Sequence, residues 1–219
     1  MGTPERYRRV QEDYNSGICD AKNLANKQKA IFLDRDGTIN EYVGFLRKEE
    51  DFRLIPGVSE AIKKINNSGY LAIVVTNQPV IARGEVTEEE LEEIHKKMET
   101  LLGLDGAYID DIYYCPHHPD KGFEGEIPEL KIECDCRKPK TGMLEKAARE
   151  HNIDLSSSIM IGDSTLDIKM AENAGMQSVL LKTGQKGEDG KYDVSPTLIA
   201  EDLNDAINKI IYKKVSKKL

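Results

Sequence analysis

Two carboxylates one residue apart, Asp34 and Asp36, follow the apolar residues Ile31-Phe32-Leu33 and lead into Gly37-Thr38. In an extended backbone, residues i and i+2 point the same way, so both acids are expected to leave a strand end side by side. Such a pair repels unless a cation lies between the two groups or one of them is protonated. A metal-assisted nucleophile with a neighbouring proton-transfer group meets that condition. Further along, Thr76-Asn77-Gln78 offers a hydroxyl and two amides for phosphate oxygens. Arg137-Lys138-Pro139 supplies fixed positive charge, with the proline holding Lys138 extended. Gly162-Asp163-Ser164 adds another acid, and Asp167 follows one helical turn later. One nucleophile, one acid/base, one hydroxyl, one lysine and a further metal-binding acid make a complete set for phosphomonoester hydrolysis.

A second constellation is built from sulfur. Cys115-Pro116-His117 and Cys134-Asp135-Cys136 together supply three thiolates and an imidazole. That is a Cys₃His set, a common closed tetrahedral site for structural Zn²⁺. The plainer alternative is reduced surface thiols, and His118 is the nearest rival to His117 as fourth ligand. The polar segment between the two pairs reads as a long loop with little core of its own, which needs a staple. Arg137 and Lys138 follow Cys136 directly, so a metal here would fix the backbone that presents positive charge. Cys19 stands alone and is assigned no role.

These groups need a scaffold that brings strand ends together. The 219 residues suffice for one sizeable domain, or for one domain with an appendage. Short apolar runs at Ala30–Leu33, Leu71–Val75, Ile109–Tyr114, Ser158–Ile161 and Ser178–Leu181 read as strands. Helical patterns fall at Val58–Asn67, Thr87–Leu102, Lys140–His151, Leu166–Ala174 and Asp202–Ile211, with a basic tail beyond. Thr87 and Glu90 have capping-box spacing. Alternating strands and helices imply an α/β fold, a doubly wound and mainly parallel sheet with helices on both faces. The candidate residues follow strands, at the edge where such sheets bind ligands. A formal net charge of −8 argues against broad nucleic-acid binding but leaves an anionic small molecule open. No apolar run nears the roughly 20 residues of a membrane span, and no secretory leader pattern opens the chain, so a cytoplasmic protein without disulfides is expected.

Asp-x-Asp-Gly-Thr at 34–38, then Thr76, Lys138 and Gly-Asp-x-x-x-Asp at 162–167, resemble in order the haloacid dehalogenase superfamily of phosphatases, over about residues 29–185. The resemblance implies that Asp34 attacks phosphorus to form an aspartyl-phosphate. Asp36 would protonate the leaving oxygen and then activate water. Mg²⁺ would be held by Asp34, the backbone carbonyl of Asp36, and Asp163, while Lys138, Thr76 and backbone N–H groups hold the phosphoryl oxygens. The spacings leave no room for a large cap domain, so the zinc-stapled loop is the expected lid.

Within that superfamily the Cys/His loop resembles a subgroup containing heptose bisphosphate phosphatases and histidinol-phosphate phosphatases. Asp-Arg-Asp-Gly-Thr-Ile-Asn at 34–40, Ile-Ala-Arg-Gly at 81–84, Cys-Pro-His-His-Pro at 115–119 and Cys-Asp-Cys-Arg-Lys-Pro-Lys-Thr-Gly-Met at 134–143 lean towards the heptose enzymes. Carried over by position, Arg137 and Lys138 meet the sugar's phosphates, Asn77 and Gln78 line the pocket, and the loop around Gly44 approaches the sugar. The implied reaction removes the 7-phosphate of heptose 1,7-bisphosphate. Histidinol-phosphate hydrolysis is the second reading, and a zinc-stapled binding module without turnover the third. Residues 1–28 form an N-terminal extension, ahead of a phosphatase domain at 29–219. Met1-Gly2-Thr3-Pro4-Glu5-Arg6-Tyr7 reads either as a surface helix and loop or as a remnant of a sugar nucleotidyltransferase domain, whose closing segment it resembles. The second reading implies a nucleotidyltransferase fused to, or partnered with, this chain.

Overall fold

Six short apolar segments pair side by side in one parallel sheet: β1 (Lys29–Leu33), β2 (Tyr70–Asn77), β3 (Asp111–Cys115), β4 (Ile159–Gly162), β5 (Gln177–Leu181) and β6 (Leu198–Ala200). The structure, a computed structural model, describes residues 3–17, 19 and 23–213. The helices are α1 (Pro4–Asn15), α2 (Val58–Asn66), α3 (Pro79–Ala82), α4 (Glu88–Leu104), α5 (Gly142–Glu150), α6 (Thr165–Asn173) and α7 (Leu203–Lys213). The capping box at the start of α4 is formed: Thr87 Oγ1 accepts from Glu90 N, and Glu90 Oε2 accepts from Thr87 N.

Alternation along β1 divides the core in two. Ile31 and Leu33 pack on one side with Ile62 and Ile65 of α2, Ile94 and Met98 of α4, and Ile207 of α7. Ala30 and Phe32 face the other side, against Met143 and Leu144 of α5 and Met170 of α6. Both faces are therefore covered, which is why the strands read as continuous apolar runs. Completely burying one side chain such as Phe32 contributes about 2–3 kcal/mol.

The strand order is β3-β2-β1-β4-β5-β6. The chain runs outward from β1 to β3, then returns to lay β4 on the other side of β1. Loops leaving β1 and β4 thus diverge, and a crevice opens between their carboxyl ends. Two elements escaped the sequence pattern, whereas the surface helix offered for the N-terminal extension forms as α1. β6 has three residues and an outward Ile199, too little for a period to show. α3 is a single buried turn starting at a proline. α1 begins at Thr3, whose hydroxyl accepts from Arg6 N, and none of its residues is buried. Met1 and Gly2 of the opening motif and residues 214–219 of the basic tail lie outside the described residues. Among the described residues no helix is long and apolar enough to cross a membrane.

Candidate active site

The crevice between β1 and β4 gathers acids around one lysine. Asp34 follows β1, with its N–H donated to Ile161 of β4. Lys138 Nζ lies 2.8 Å from Asp34 Oδ1 and 2.6 Å from Asp167 Oδ1, and donates to the Val75 carbonyl at 3.2 Å. Two of its hydrogens go to Asp167 and Val75, and Asp34 is held as an ion pair. Asp34, Asp163 and Asp167 each bring a carboxylate oxygen within 4.8 Å of the others. The turn that sets Asp163 against β1 requires glycine at 37: φ is +84°, and a Cβ there would stand 2.2 Å from Asp163 Oδ2.

Three acids against one buried cation leave excess negative charge. Burial, and then repulsion from Asp167, push Asp34 up to about 7 despite Lys138. Burial, Asp34 and Asp167 push Asp163 up to about 8. Burial works against the Lys138 ammonium, but Asp167 and Asp34 outweigh it and hold the lysine above its ordinary value. Asp167 is fully used, since its second oxygen accepts from Ser164 N and Oγ to cap α6. Asp34 Oδ1 takes the Arg35 N–H and Lys138, and Asp163 Oδ2 takes the Gln185 N–H. Asp34 Oδ2 and Asp163 Oδ1 have no hydrogen-bond partner among the described residues. Two spare carboxylate oxygens in a negatively charged niche fit a hard, oxygen-seeking divalent cation such as Mg²⁺.

Asp36 is held differently from Asp34. Its carboxylate accepts from Arg35 Nη2 at 2.8 and 3.1 Å, from Asn40 Nδ2 at 3.0 Å and from Gln78 Nε2 at 3.0 Å. Burial favours the neutral form, but the Arg35 guanidinium and these donors together hold Asp36 below the usual carboxylate range. The expected mutual repulsion of Asp34 and Asp36 is the smallest of the influences on Asp34. The strand ends at Leu33, so period-2 geometry stops before the second acid. Gln78 also donates to Thr76 Oγ1 and accepts from Arg35 Nη2. Asn77 accepts the Lys138 N–H through Oδ1 and faces the Lys138 carbonyl with Nδ2. Both amides border the crevice as expected, yet their polar atoms hold other residues in place.

The sulfur cluster also assembles. The three Sγ atoms lie 3.2–3.5 Å apart, and His117 Nδ1 is 3.3 Å from Cys136 Sγ and 3.7 Å from Cys115 Sγ. Those separations are a little under the roughly 3.8 Å edge of a tetrahedron with 2.3 Å metal–sulfur bonds. The hydrogen bond from Cys115, then those from Cys134 and His117, bring Cys136 down to about 5, while Cys136 and burial push Cys115 up and burial pushes Cys134 up, so one thiolate is shared by the three. His118 turns away, with Nε2 3.5 Å from Arg83 Nη2 and its ring edge-on to Phe123. The donor set therefore fits Zn²⁺ through His117. The loop is also clamped to α3: Ala82 N donates to the Pro116 carbonyl and Ile127 N to the Ala82 carbonyl. Gly84, at φ +70°, passes so close that a Cβ would stand 1.8 Å from the Gly125 carbonyl oxygen.

The crevice has a volume of about 190 Å³ and is bordered by Asp34, Asp36, Gly44, Thr76, Asn77, Gln78, Arg137 and Lys138, all of which the sequence singled out. It is also bordered by Tyr42, Phe45, Arg83, Gln185 and Lys191, which were given no role, and by His118, weighed only as a rival metal ligand. Arg83 sits between the rings of Phe45 at 4.2 Å and Phe123 at 4.4 Å, joining the loop after β1 to the Cys/His loop. Its only sequence signal is its place in Ile-Ala-Arg-Gly. Lys191 arrives on the β5–β6 connection, and no motif marks it.

Residues 135–206 match a family model described as HAD-hydrolase-like. A D-glycero-beta-D-manno-heptose-1,7-bisphosphate 7-phosphatase from Haemophilus ducreyi is 44% identical over 160 residues, 72% of this chain and 85% of that relative. A D-glycero-alpha-D-manno-heptose-1,7-bisphosphate 7-phosphatase from Photorhabdus laumondii is also 44% identical over 160 residues, 73% of this chain and 85% of that relative. Among solved structures, the D,D-heptose 1,7-bisphosphate phosphatase from B. bronchiseptica, complexed with magnesium and phosphate, superposes with a TM-score of 0.74. It is 32% identical and covers 85% of this chain and 99% of its own.

Proposed function

From the membership of this chain in the heptose-1,7-bisphosphate 7-phosphatase family of HAD-like hydrolases, we propose that it hydrolyses the 7-phosphate ester of D-glycero-D-manno-heptose 1,7-bisphosphate. The observation that carries the reading is the Asp34 carboxylate, with Lys138 on one oxygen and the other oxygen spare. In the first step the Asp34 carboxylate bonds to phosphorus through one of its oxygens, and the P–O7 bond breaks with its electron pair going to the sugar oxygen. Asp36 delivers a proton to that oxygen, leaving the sugar hydroxyl and an aspartyl-phosphate. In the second step Asp36 takes a proton from water as the water oxygen bonds to phosphorus. The P–O bond to Asp34 breaks, releasing inorganic phosphate and restoring the carboxylate. Asp36 rests ionised, and an arriving phosphate dianion offsets Arg35 and raises it towards the donor form. Lys138 and Thr76 hold the phosphoryl oxygens in line.

Asp34, Asp163 and the backbone carbonyl of Asp36 would hold Mg²⁺, which screens the repulsion between an anionic nucleophile and an anionic phosphate. Cys115, His117, Cys134 and Cys136 would hold a structural Zn²⁺ that fixes the backbone of Arg137 and Lys138. The second phosphate of a bisphosphate calls for positive charge away from Asp34, and Arg83, Arg137 and Lys191 border the same crevice. Histidinol phosphate carries an amine instead, and the acids bordering the crevice are Asp34 and Asp36, both engaged in the chemistry. The rim therefore favours the bisphosphate. The reaction is placed in the cytoplasm, ahead of nucleotide activation of the heptose 1-phosphate by a nucleotidyltransferase fused to or working beside this chain. Phosphate release measured with Mg²⁺ on both heptose bisphosphate anomers and on histidinol phosphate tests the reading. Preference for histidinol phosphate, or no Mg²⁺-dependent release from any sugar phosphate, overturns it.

A further inference from the structure

Arg35, the residue between the two motif acids, is completely buried, and a buried guanidinium must spend its N–H groups on acceptors. Nη2 meets Asp36 and the Gln78 side-chain oxygen. Nη1 meets Nε2 of His95 at 3.2 Å, and Nε has no partner. A guanidinium can only donate, so His95 Nε2 is the acceptor and the imidazole proton is on Nδ1. Two of the three anchors, Asp36 and Gln78, lie at the sheet edge, in the site itself. His95 alone comes from elsewhere: it projects from α4, sixty residues along the chain, and is 7% exposed. Without it, Nη1 and Nε would both face a dry core unpaired, and the guanidinium plane would lose the contact that stops it rotating about its bond to Asp36.

We propose that His95 is a positioning residue for proton transfer at Asp36, fixing the Arg35 guanidinium so that Nη2 presents the Asp36 carboxylate to the leaving oxygen. The inference rests on the phosphatase reading above. Its signature is a dependence on the leaving group. An alkoxide needs the proton from Asp36 as the P–O bond breaks, whereas p-nitrophenolate departs without it. The ratio kcat/KM reports events up to formation of the aspartyl-phosphate, the step in which Asp36 acts as acid.

The test compares His95→Leu and His95→Gln with the wild type, all with Mg²⁺, on heptose bisphosphate and on p-nitrophenyl phosphate. Positioned general acids contribute about 100- to 10,000-fold, so a loosened one is expected to cost about tenfold in kcat/KM on the sugar ester, carried by kcat with KM within about twofold. On the nitrophenyl ester the loss stays within about twofold. Glutamine puts an acceptor where Nε2 was, and is expected to restore at least about half of the wild-type value. Equal losses on the two esters, no loss in a folded His95→Leu protein, or no advantage of Gln over Leu would each overturn the proposal. If His95→Leu does not fold, His95→Asn, whose amide stops short of Nη1, replaces it under the same criteria. A wild type that ignores heptose bisphosphate but cleaves another alkyl phosphate refutes the substrate assignment alone, and the comparison is then run on that ester. A wild type with no phosphatase activity overturns both.

Discussion

Removing the staple from the Cys/His loop should cost a calculable amount of stability. Cys115 and Cys134 are 19 residues apart. Treated as a cross-link closing a loop of that length, a metal on the four donors removes about 11 cal/mol/K from the unfolded chain, or about 3 kcal/mol at 25 °C. Unfolding entropy near 2.1 cal/mol/K per residue over 219 residues gives about 0.46 kcal/mol/K. The expected fall in Tm is therefore about 7 °C, in Cys136→Ser and in chelator-stripped protein alike. Turnover should fall further than stability, because Arg137 donates to the His117 carbonyl and Lys138 follows it directly. Scanning calorimetry, metal content and phosphate release on the three samples measure all of this. As-purified protein with four freely titratable thiols, exposed Cys19 included, and no zinc, or a Tm shift under about 2 °C, would refute the reasoning.

Other outcomes follow from the same geometry. Asp34→Asn keeps the shape but removes the attacking charge, and should lower turnover by at least about 1,000-fold; a phosphate-release rate near wild type would sink the mechanism. In Mg²⁺-free protein Asp34, at about 7, and Asp163, at about 8, stand above their ordinary 3.8, so the folded state binds more protons than the unfolded one between those values. Stability then falls as pH rises through that window. His95, pushed to about 3 by burial and Arg35, opposes this only below its ordinary 6.5. From pH 6.5 to 8.5 the Tm of Mg²⁺-free protein should decline, with added Mg²⁺ raising it more at the upper end. A flat profile shared by wild type and Asp163→Asn would count against the assigned charges. Gly84→Ala forces a Cβ into the Gly125 carbonyl at a positive φ and should cost about 1–3 kcal/mol in urea unfolding. An unchanged midpoint would show that the Cys/His loop is not clamped there.

Much of this was legible in the sequence because it rests on short-range rules. Asp34, Thr76 and Asp163 end apolar runs, and parallel strands bring those ends to one edge. The Cys₃His set follows from residue type and spacing. His117, chosen over its rival His118, joins the thiols, while the backbone turns the second ring towards Arg83 and Phe123. Asp34 and Asp36 both border the crevice as expected, but the i, i+2 rule holds only while the strand lasts, and it says nothing of their different partners. Asn77 and Gln78 border the crevice as expected, and their polar atoms bond within the protein. Which partner an amide takes depends on what else reaches it, here the Lys138 backbone, Thr76 and Asp36. Arg35 lies inside a quoted motif and His95 on the apolar stripe of α4 with Leu91, Met98 and Leu102, but neither signal says what the side chain meets, and Lys191 carries no motif at all.

The order of the strands also sets an order in time. All four donors of the Cys/His cluster lie before residue 137, on chain that follows β1, β2 and β3, whereas the acid cluster lacks Asp163 until β4 is made. At about 5–20 residues per second, synthesis needs about 1–5 s to pass from Cys136 to Asp163. A nascent chain therefore has a complete sulfur site while its carboxylate site still consists of Asp34 alone. With Zn²⁺ and Mg²⁺ as the two ions, capture on the ribosome would be sequential: the soft-ligand ion could be taken first, and the hard one would wait for the second half of the sheet.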